Sequence, residues 1–243
     1  QTQITQNQPN LKFTSWNKDD LNYWKKFGVK NDNLILTGEP EYDRLFNQKI
    51  HSSDSEHFIL IATTFLQFKW SLSGYDTNNS IKNRDSIIEI CKISNQIKDK
   101  KTVVKIHPSV NAIFDLPLEL LNNNIHIPIF KTQNIVELIK KSDVIVSLDY
   151  STLLLESMIL GKPTITYMVD SEWYESDEII TSEYTIPVRT PKEFENALNR
   201  IIYDKNFREK LINKGKILVD SRLKNPGNAS YVLINYLESL KSE

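Results

Sequence analysis

The 243-residue sequence has a single cysteine and only six glycines, a net charge of −1, and no long apolar run. Each shortage excludes a class. Cys91 has no partner for an internal disulfide, which favours a reducing compartment. So few glycines rule out a fibrous or low-complexity chain. Thirty basic against thirty-one acidic residues leave no basic footprint, so nucleic acid is not an expected partner. No stretch of about 18 apolar residues is present, so no spanning helix is expected. The opening QTQITQNQPN has neither the basic start nor the apolar centre of a signal peptide. The glycine-lysine-serine/threonine signature of a P-loop is missing as well. His51, His57, His107 and His126 stand at no metal-ligand spacing, so no metal site and no cofactor are expected.

What is present reads as a globular domain with a real core, since 40% of residues are hydrophobic and 25% charged. Residues 1-10 read as a flexible lead-in. From Leu11 a short strand, a helix (DDLNYWKKFGV) and a second strand (NLILTG) lead to the turn GEPEYDRLF. HFILIATTF at 57-65 is an apolar, β-branched run of the kind that forms a buried strand. Residues 66-80 are expected to form a long loop, and Ile87, Ile90, Cys91 and Ile97 mark one face of a helix. Further strands are expected at KTVVKIHP (101-108), NIHIPIF (124-130), DVIVSL (143-148) and PTITYM (163-168). Between them lie a helix capped by Asn134 with Glu137 as its capping-box partner, and a helix STLLLESMIL closed by Gly161. The C-terminal third is expected to be helical. It opens with a capping box of Thr190 and Glu193 around Pro191 and ends in a helix whose stripe Ala229, Leu233, Tyr236, Leu237 and Leu240 is spaced for burial. Strict alternation of apolar strands with helices predicts an α/β fold, a Rossmann-like parallel sheet covered by helices on both faces, with a helical C-terminus.

Ligands of such sheets bind at the carboxyl ends of the strands. Three of those ends are polar: Thr63 and Thr64, His107 before Pro108, and Asp149-Tyr150-Ser151-Thr152. Ser151 and Thr152 open a helix directly after a strand, so first-turn amides, the positive dipole end and two hydroxyls converge where an anion would sit. Glu156, four residues beyond Thr152, lies on the same helical face, within reach of a ribose diol. Helix caps and solvated carboxylates explain the same residues without a ligand. The proline after His107 holds its backbone extended, and an imidazole titrating near neutrality suits either a phosphate contact or acid-base work. A structural histidine satisfied by a loop is the competing reading. Glu39, Asp43 and Arg44 read as a polar turn with a local ion pair, and Trp70, Tyr75 and Asp76 as loop residues of no assigned role.

The pairing of K-x-H-P at Lys105 to Pro108 with S-D-V-I-V-S-x-D-Y-S-T at 142-152 resembles the C-terminal nucleotide-binding domain of GT-B-fold transferases. The resemblance is to the CDP-glycerol glycerophosphotransferase and capsule polysaccharide transferase type, and more distantly to UDP-N-acetylglucosamine 2-epimerases. TGEPEYD at 37-43 is similar to the turn that begins the second GT-B domain, and GKPTITY at 161-167 to the strand after the phosphate helix. The resemblance spans roughly residues 28-170. It implies that His107, Ser151 and Thr152 bind the phosphates of a nucleotide-activated donor, with Glu156 near the ribose. His107 would be catalytic, and no metal would be needed.

The implied role is a glycosyltransferase or glycerophosphate-type polymer transferase in surface polysaccharide or glycan synthesis. Alternatives are a nucleotide-sugar 2-epimerase and a non-catalytic nucleotide-binding module. The expected organisation is a lead-in (1-10), an interdomain segment with the start of the C-terminal GT-B domain (11-50), and the donor-binding domain with its C-terminal helices (51-243). A preceding acceptor-binding domain is implied that these residues do not supply, so the chain is expected to be part of a longer enzyme and inactive alone. Its partners would be the nucleotide-linked sugar or polyol donor and, through that domain, a glycan or lipid-linked acceptor. The expected setting is cytoplasmic, with peripheral association at the inner membrane face where such an acceptor would be met.

Overall fold

Two segments rich in β-branched and apolar residues, each closed by a turn signal, stand near the start of the chain. In the computed structural model, which describes residues 11–48, 57–63, 70–71, 74–75, 77–107, 115–169 and 178–241, they are the parallel strands β1 (Phe13–Ser15) and β2 (Leu34–Leu36). The expected lead-in at 1-10 lies outside the described residues. Between the two strands runs helix α1 (Lys18–Lys26). The Asn17 side chain accepts from the Asp19 and Asp20 amides, and acidic residues in the first turn and lysines in the last match the helix dipole. A 3₁₀ turn at Pro40–Tyr42 then leads into α2 (Asp43–Phe46).

The chain forms two compact units, Gln1–Lys49 with Ile217–Glu243, and Ile50–Lys216. The second unit is built on a six-stranded parallel sheet. In chain order its elements are β3 (Phe58–Ala62), a small antiparallel pair β4 (Trp70–Ser71) and β5 (Gly74–Tyr75), α3 (Thr77–Asn95), and β6 (Lys101–Lys105). There follow α4 (Leu116–Asn122), β7 (Ile129–Phe130), α5 (Ile135–Lys141), β8 (Ser142–Leu148), α6 (Thr152–Ile159) and β9 (Thr164–Tyr167). It closes with α7 (Glu178–Thr181), β10 (Ile186–Val188), α8 (Pro191–Tyr203) and most of α9 (Lys205–Arg222).

The sheet order is β10-β9-β8-β3-β6-β7 with every pairing parallel. Read from β7, this is the doubly wound order in which the first strand lies at the centre and the chain winds outward first one way, then the other. Alternation along the strands separates two faces. Ile59, Ile61, Val104, Val146, Leu148 and Tyr167 share one core with Ile87, Ile90 and Cys91 of α3 and Phe194 and Leu198 of α8. Helices α5 and α6 pack on β3, β8 and β9, burying Val136, Ile139, Leu154 and Met158. Burial of Cys91 pushes its thiol up to about 12, so it is an inert core residue.

The structure corrects several expectations. Of the strand expected at 124-130 only Ile129–Phe130 pairs. Pro128 lacks an amide, and Asn124 adopts φ 56, which breaks the extended run. Within the expected loop 66-80, the chain forms β4 and β5 and enters α3 by Thr77. The first turns of α3 are polar, so no apolar period announces them. Strand β10 lies between the strand expected at 163-168 and the helix expected from Thr190, where no element is expected; its three residues are too few for a periodic signal. Asn134 does cap α5, through the Val136 amide, while Glu137 pairs forward with Lys140 at 3.1 Å instead of closing a capping box. The full capping box forms at Thr190 and Glu193.

The first unit includes the last helix, α10 (Ala229–Ser239). Its stripe is not buried as expected: Ala229 is buried, but Leu237 and Leu240 are 50% and 41% exposed. The helix packs on the Pro40–Tyr42 turn through its beginning. There the Asp43 carboxylate accepts from the Ala229 amide at 3.0 Å and the Ser230 amide at 2.7 Å. Asp43 therefore caps a helix 186 residues away, in place of the expected local ion pair. Burial raises its pKa, but the bonds from Ser230 and Ala229 outweigh this and the net shift is downward. A depressed carboxylate stabilises the fold above its ordinary range, and that stability is lost as pH falls through its folded value. Asp43→Asn is expected to destabilise this unit by about 2 kcal/mol at pH 7. Thermal melts of wild type and variant at pH 7 and at a pH below the ordinary carboxylate range check this: the gap between the two narrows at the lower pH, and a constant gap contradicts it.

Candidate nucleotide site

Strands β3, β6, β7 and β8 end in step, because Ala62 pairs with both Lys105 and Ser147, and Lys105 pairs with Phe130. Their carboxyl ends surround a cavity of about 560 Å³ at the point where the winding direction reverses, between β3 and β8. Open parallel sheets leave their ligand crevice at this place.

The wall on the β8 side is a tight turn. Asp149 takes φ 52, a left-handed conformation that Asp tolerates better than most residues. It is held there by its amide on Tyr167 O (2.9 Å), by its carboxylate accepting from Val169 N (2.7 Å), and by Ser147 Oγ donating to its carbonyl (3.2 Å). The turn delivers Ser151 as an extended N-cap residue whose Oγ accepts from Leu153 N at 3.3 Å, and α6 begins at Thr152. The Ser151 hydroxyl proton remains available as a donor, and the first turn of α6 faces the cavity with its dipole end positive.

The opposite wall comes from β6 and the segment after β7. Lys105 and His107 stand two residues apart at the strand end, and the His107 amide donates to Thr63 Oγ1 at 3.0 Å, tying this wall to β3. Lys105 is buried, 8% exposed, and its ammonium donates to Ile106 O at 3.0 Å and Lys131 O at 2.8 Å. Burial lowers the Lys105 pKa. Partial burial, and then the Lys105 charge, lower that of His107 below the ordinary imidazole value. At neutral pH the imidazole is therefore mainly uncharged.

Thr63, His107, Ser151, Thr152 and Glu156 all line this one cavity. Thr64 and Pro108 lie outside the described residues, as does Asp76; so do the side chains of Trp70 and Tyr75. Lys105, Lys131, Thr132 and Gln133 also line the cavity, and sequence reasoning misses them as site residues. Lys105 carries a signal, since it heads the K-x-H-P run, two residues before His107 on an alternating strand. The 131–133 segment carries none, because it follows a strand only two residues long. Two lysines and a helix amino end face a single carboxylate, Glu156, among the described residues of the wall, so the cavity favours an anion. Among the described residues no three His, Cys, Asp or Glu side chains gather as a metal site would require. Among the same residues no helix is long and apolar enough to cross a membrane.

A doubly wound sheet with its crevice at this reversal defines a Rossmann-like domain, and solved structures share the fold. UDP-GlcNAc 2-epimerase from Neisseria meningitidis, solved bound to UDP-GlcNAc, superimposes with a TM-score of 0.62 at 18% identity, over 92% of this chain and 60% of that one. The wall teichoic acid polymerase TagF, solved with CDPG, gives 0.60 at 15% identity, over 94% of this chain and 55% of that one. The chain belongs to the CDP-Glycerol:Poly(glycerophosphate) glycerophosphotransferase family, whose model matches residues 3–225. It is 25% identical over 228 residues to the teichoic acid glycerol-phosphate primase of Bacillus subtilis (strain 168), covering 90% of this chain and 54% of the relative. The chain thus spans about half the length of that relative.

Proposed function

We propose that this chain supplies the donor site of a transferase that moves glycerol phosphate from CDP-glycerol to a hydroxyl of a growing surface polymer. The observation that carries the reading is the convergence of His107, Ser151, Thr152 and the amino end of α6 on one anion-favouring crevice, in a chain of this family. The diphosphate of the donor lies against the first turn of α6 and the two hydroxyls, His107 donates to a phosphate oxygen, and Glu156 accepts from the ribose diol. The acceptor hydroxyl oxygen attacks the phosphorus that bears glycerol. The bond from that phosphorus to the bridging oxygen breaks, CMP departs with the electron pair, and the hydroxyl proton passes to a base.

Charge on the departing CMP is met by donors already in place, so little reorganisation is needed as it develops. No metal or cofactor has a role in this scheme. The acceptor is a glycan or lipid-linked polymer end, met on the cytoplasmic side of the membrane and held with the help of further parts of a longer enzyme. A nucleotide-sugar 2-epimerase would share the phosphate site but yield a rearranged sugar, not a lengthened polymer.

Labelled CDP-glycerol incubated with a glycerophosphate-primed acceptor and the longer protein tests this. CMP release with matching incorporation of label, undiminished by EDTA, is the expected result. Loss of turnover in EDTA would contradict the metal-free scheme, and absence of both products would contradict the transferase reading.

A further inference from the structure

Lys105 is the least expected group at the crevice, a buried cation whose ammonium rests on the carbonyls of Ile106 and Lys131. Taking a lysine out of water is costly, and two neutral acceptors only partly offset that cost. A methionine or leucine would fill the same space without it. The position of the charge gives it a use. Ile106 follows the end of β6 and Lys131 begins the neighbouring 131–133 segment on the same wall, where the Ile106 amide donates to Phe130 O at 2.8 Å and the ammonium adds a second tie one residue further on. His107 follows directly on Ile106 at the same wall, anchored through its own amide to Thr63.

We propose that Lys105 is a positioning residue of the donor site: it fixes the 131–133 segment against the end of β6 and holds a positive charge beside the His107 imidazole. Its purpose rests on the donor-site reading given above. Partial burial, and with it the Lys105 charge, keep His107 neutral in the empty site, one ring nitrogen a donor and the other an acceptor. Entry of a diphosphate then favours protonation of His107, so donor binding takes up a proton and tightens as pH falls. The other charged groups lining the cavity among the described residues are Lys131, which acts in the same direction as Lys105, and Glu156 on α6, which opposes it. A device of this kind couples the charge on the histidine to the presence of the ligand.

The test is an NMR titration of the His107 ring in the ligand-free chain, for wild type, Lys105→Met, Lys105→Gln and Lys105→Arg. The midpoint is expected to move up in Lys105→Met and to return toward the wild-type position in Lys105→Arg. Lys105→Gln, which keeps a hydrogen-bond donor but not the charge, is expected to move the midpoint up as Lys105→Met does. A midpoint that Lys105→Met and Lys105→Gln both leave unchanged overturns the proposal, and the glutamine arm stands even if the methionine variant does not fold. These measurements involve no nucleotide, so they succeed or fail separately from the donor-site reading. Affinity for CDP-glycerol, a diphosphate diester with no terminal phosphate proton to titrate near neutrality, supplies the functional arm. Its pH profile is expected to shift upward in Lys105→Met, whereas a role confined to packing would lower affinity equally at every pH.

Discussion

Replacing His107, Ser151 and Thr152 together by alanine is expected to weaken nucleotide binding by about 3 kcal/mol or more, which is over a hundredfold in affinity. Hydrogen bonds to charged groups contribute roughly 1.5–3 kcal/mol each, and three that share one diphosphate do not add independently. The fold should survive the change. His107 is exposed and Thr152 lies at a surface-facing helix start, and the loss of the Ser151 cap, whose bond to Leu153 is a long 3.3 Å, costs about 1 kcal/mol of stability. Calorimetric titration checks the affinity and a thermal melt checks the fold. Unchanged affinity in a folded variant would remove these residues from the site.

Gly38→Ala is expected to be the most damaging single substitution in the first unit. Gly38 adopts φ +82, and an added Cβ would lie 2.0 Å from the Lys224 carbonyl oxygen and 3.1 Å from the Ala229 Cβ. The left-handed backbone costs roughly 1–2 kcal/mol for an alanine, and forcing the backbone of residue 224 aside adds roughly 1–3 kcal/mol. A total of about 2–5 kcal/mol is a large share of the stability of a small unit. Its neighbours have little freedom to give way. The Gly38 amide donates to Ser15 O, Lys224 N donates to Trp16 O, and the Asn225 side chain donates to Thr37 O at 3.0 Å. Denaturant unfolding measures the loss, and a change below about 1 kcal/mol would show that the 224–225 turn shifts without resistance.

Particular residues show what the sequence carries and what it withholds. The buried strands are legible because parallel strands covered on both faces read as apolar runs, as at Phe58–Ala62 and at Val144, Ile145 and Val146 of β8. The crevice is legible because strand-end chemistry follows directly from strand position: His107 and Ser151 each come two or three residues after the last paired residue. Long-range pairings leave no trace. Nothing local to TGEPEYD says that the Asp43 carboxylate accepts from the amides of Ala229 and Ser230, and nothing in KTVVK says that Lys105 reaches the carbonyl of Lys131. Short edge elements are lost for a different reason. β10, three residues at the sheet edge, is too brief for a pattern of its own, and β7 is only the last two residues of the apolar run at 124-130.

The central claim is that a donor diphosphate lies against the amino end of α6, opposite His107. A crystal structure of the chain with CDP-glycerol tests it most directly. The account predicts the diphosphate within hydrogen-bonding distance of Ser151, Thr152 and the His107 ring, with the ribose toward Glu156. A nucleotide bound elsewhere on the chain, with the crevice between β3 and β8 holding only water, would contradict it.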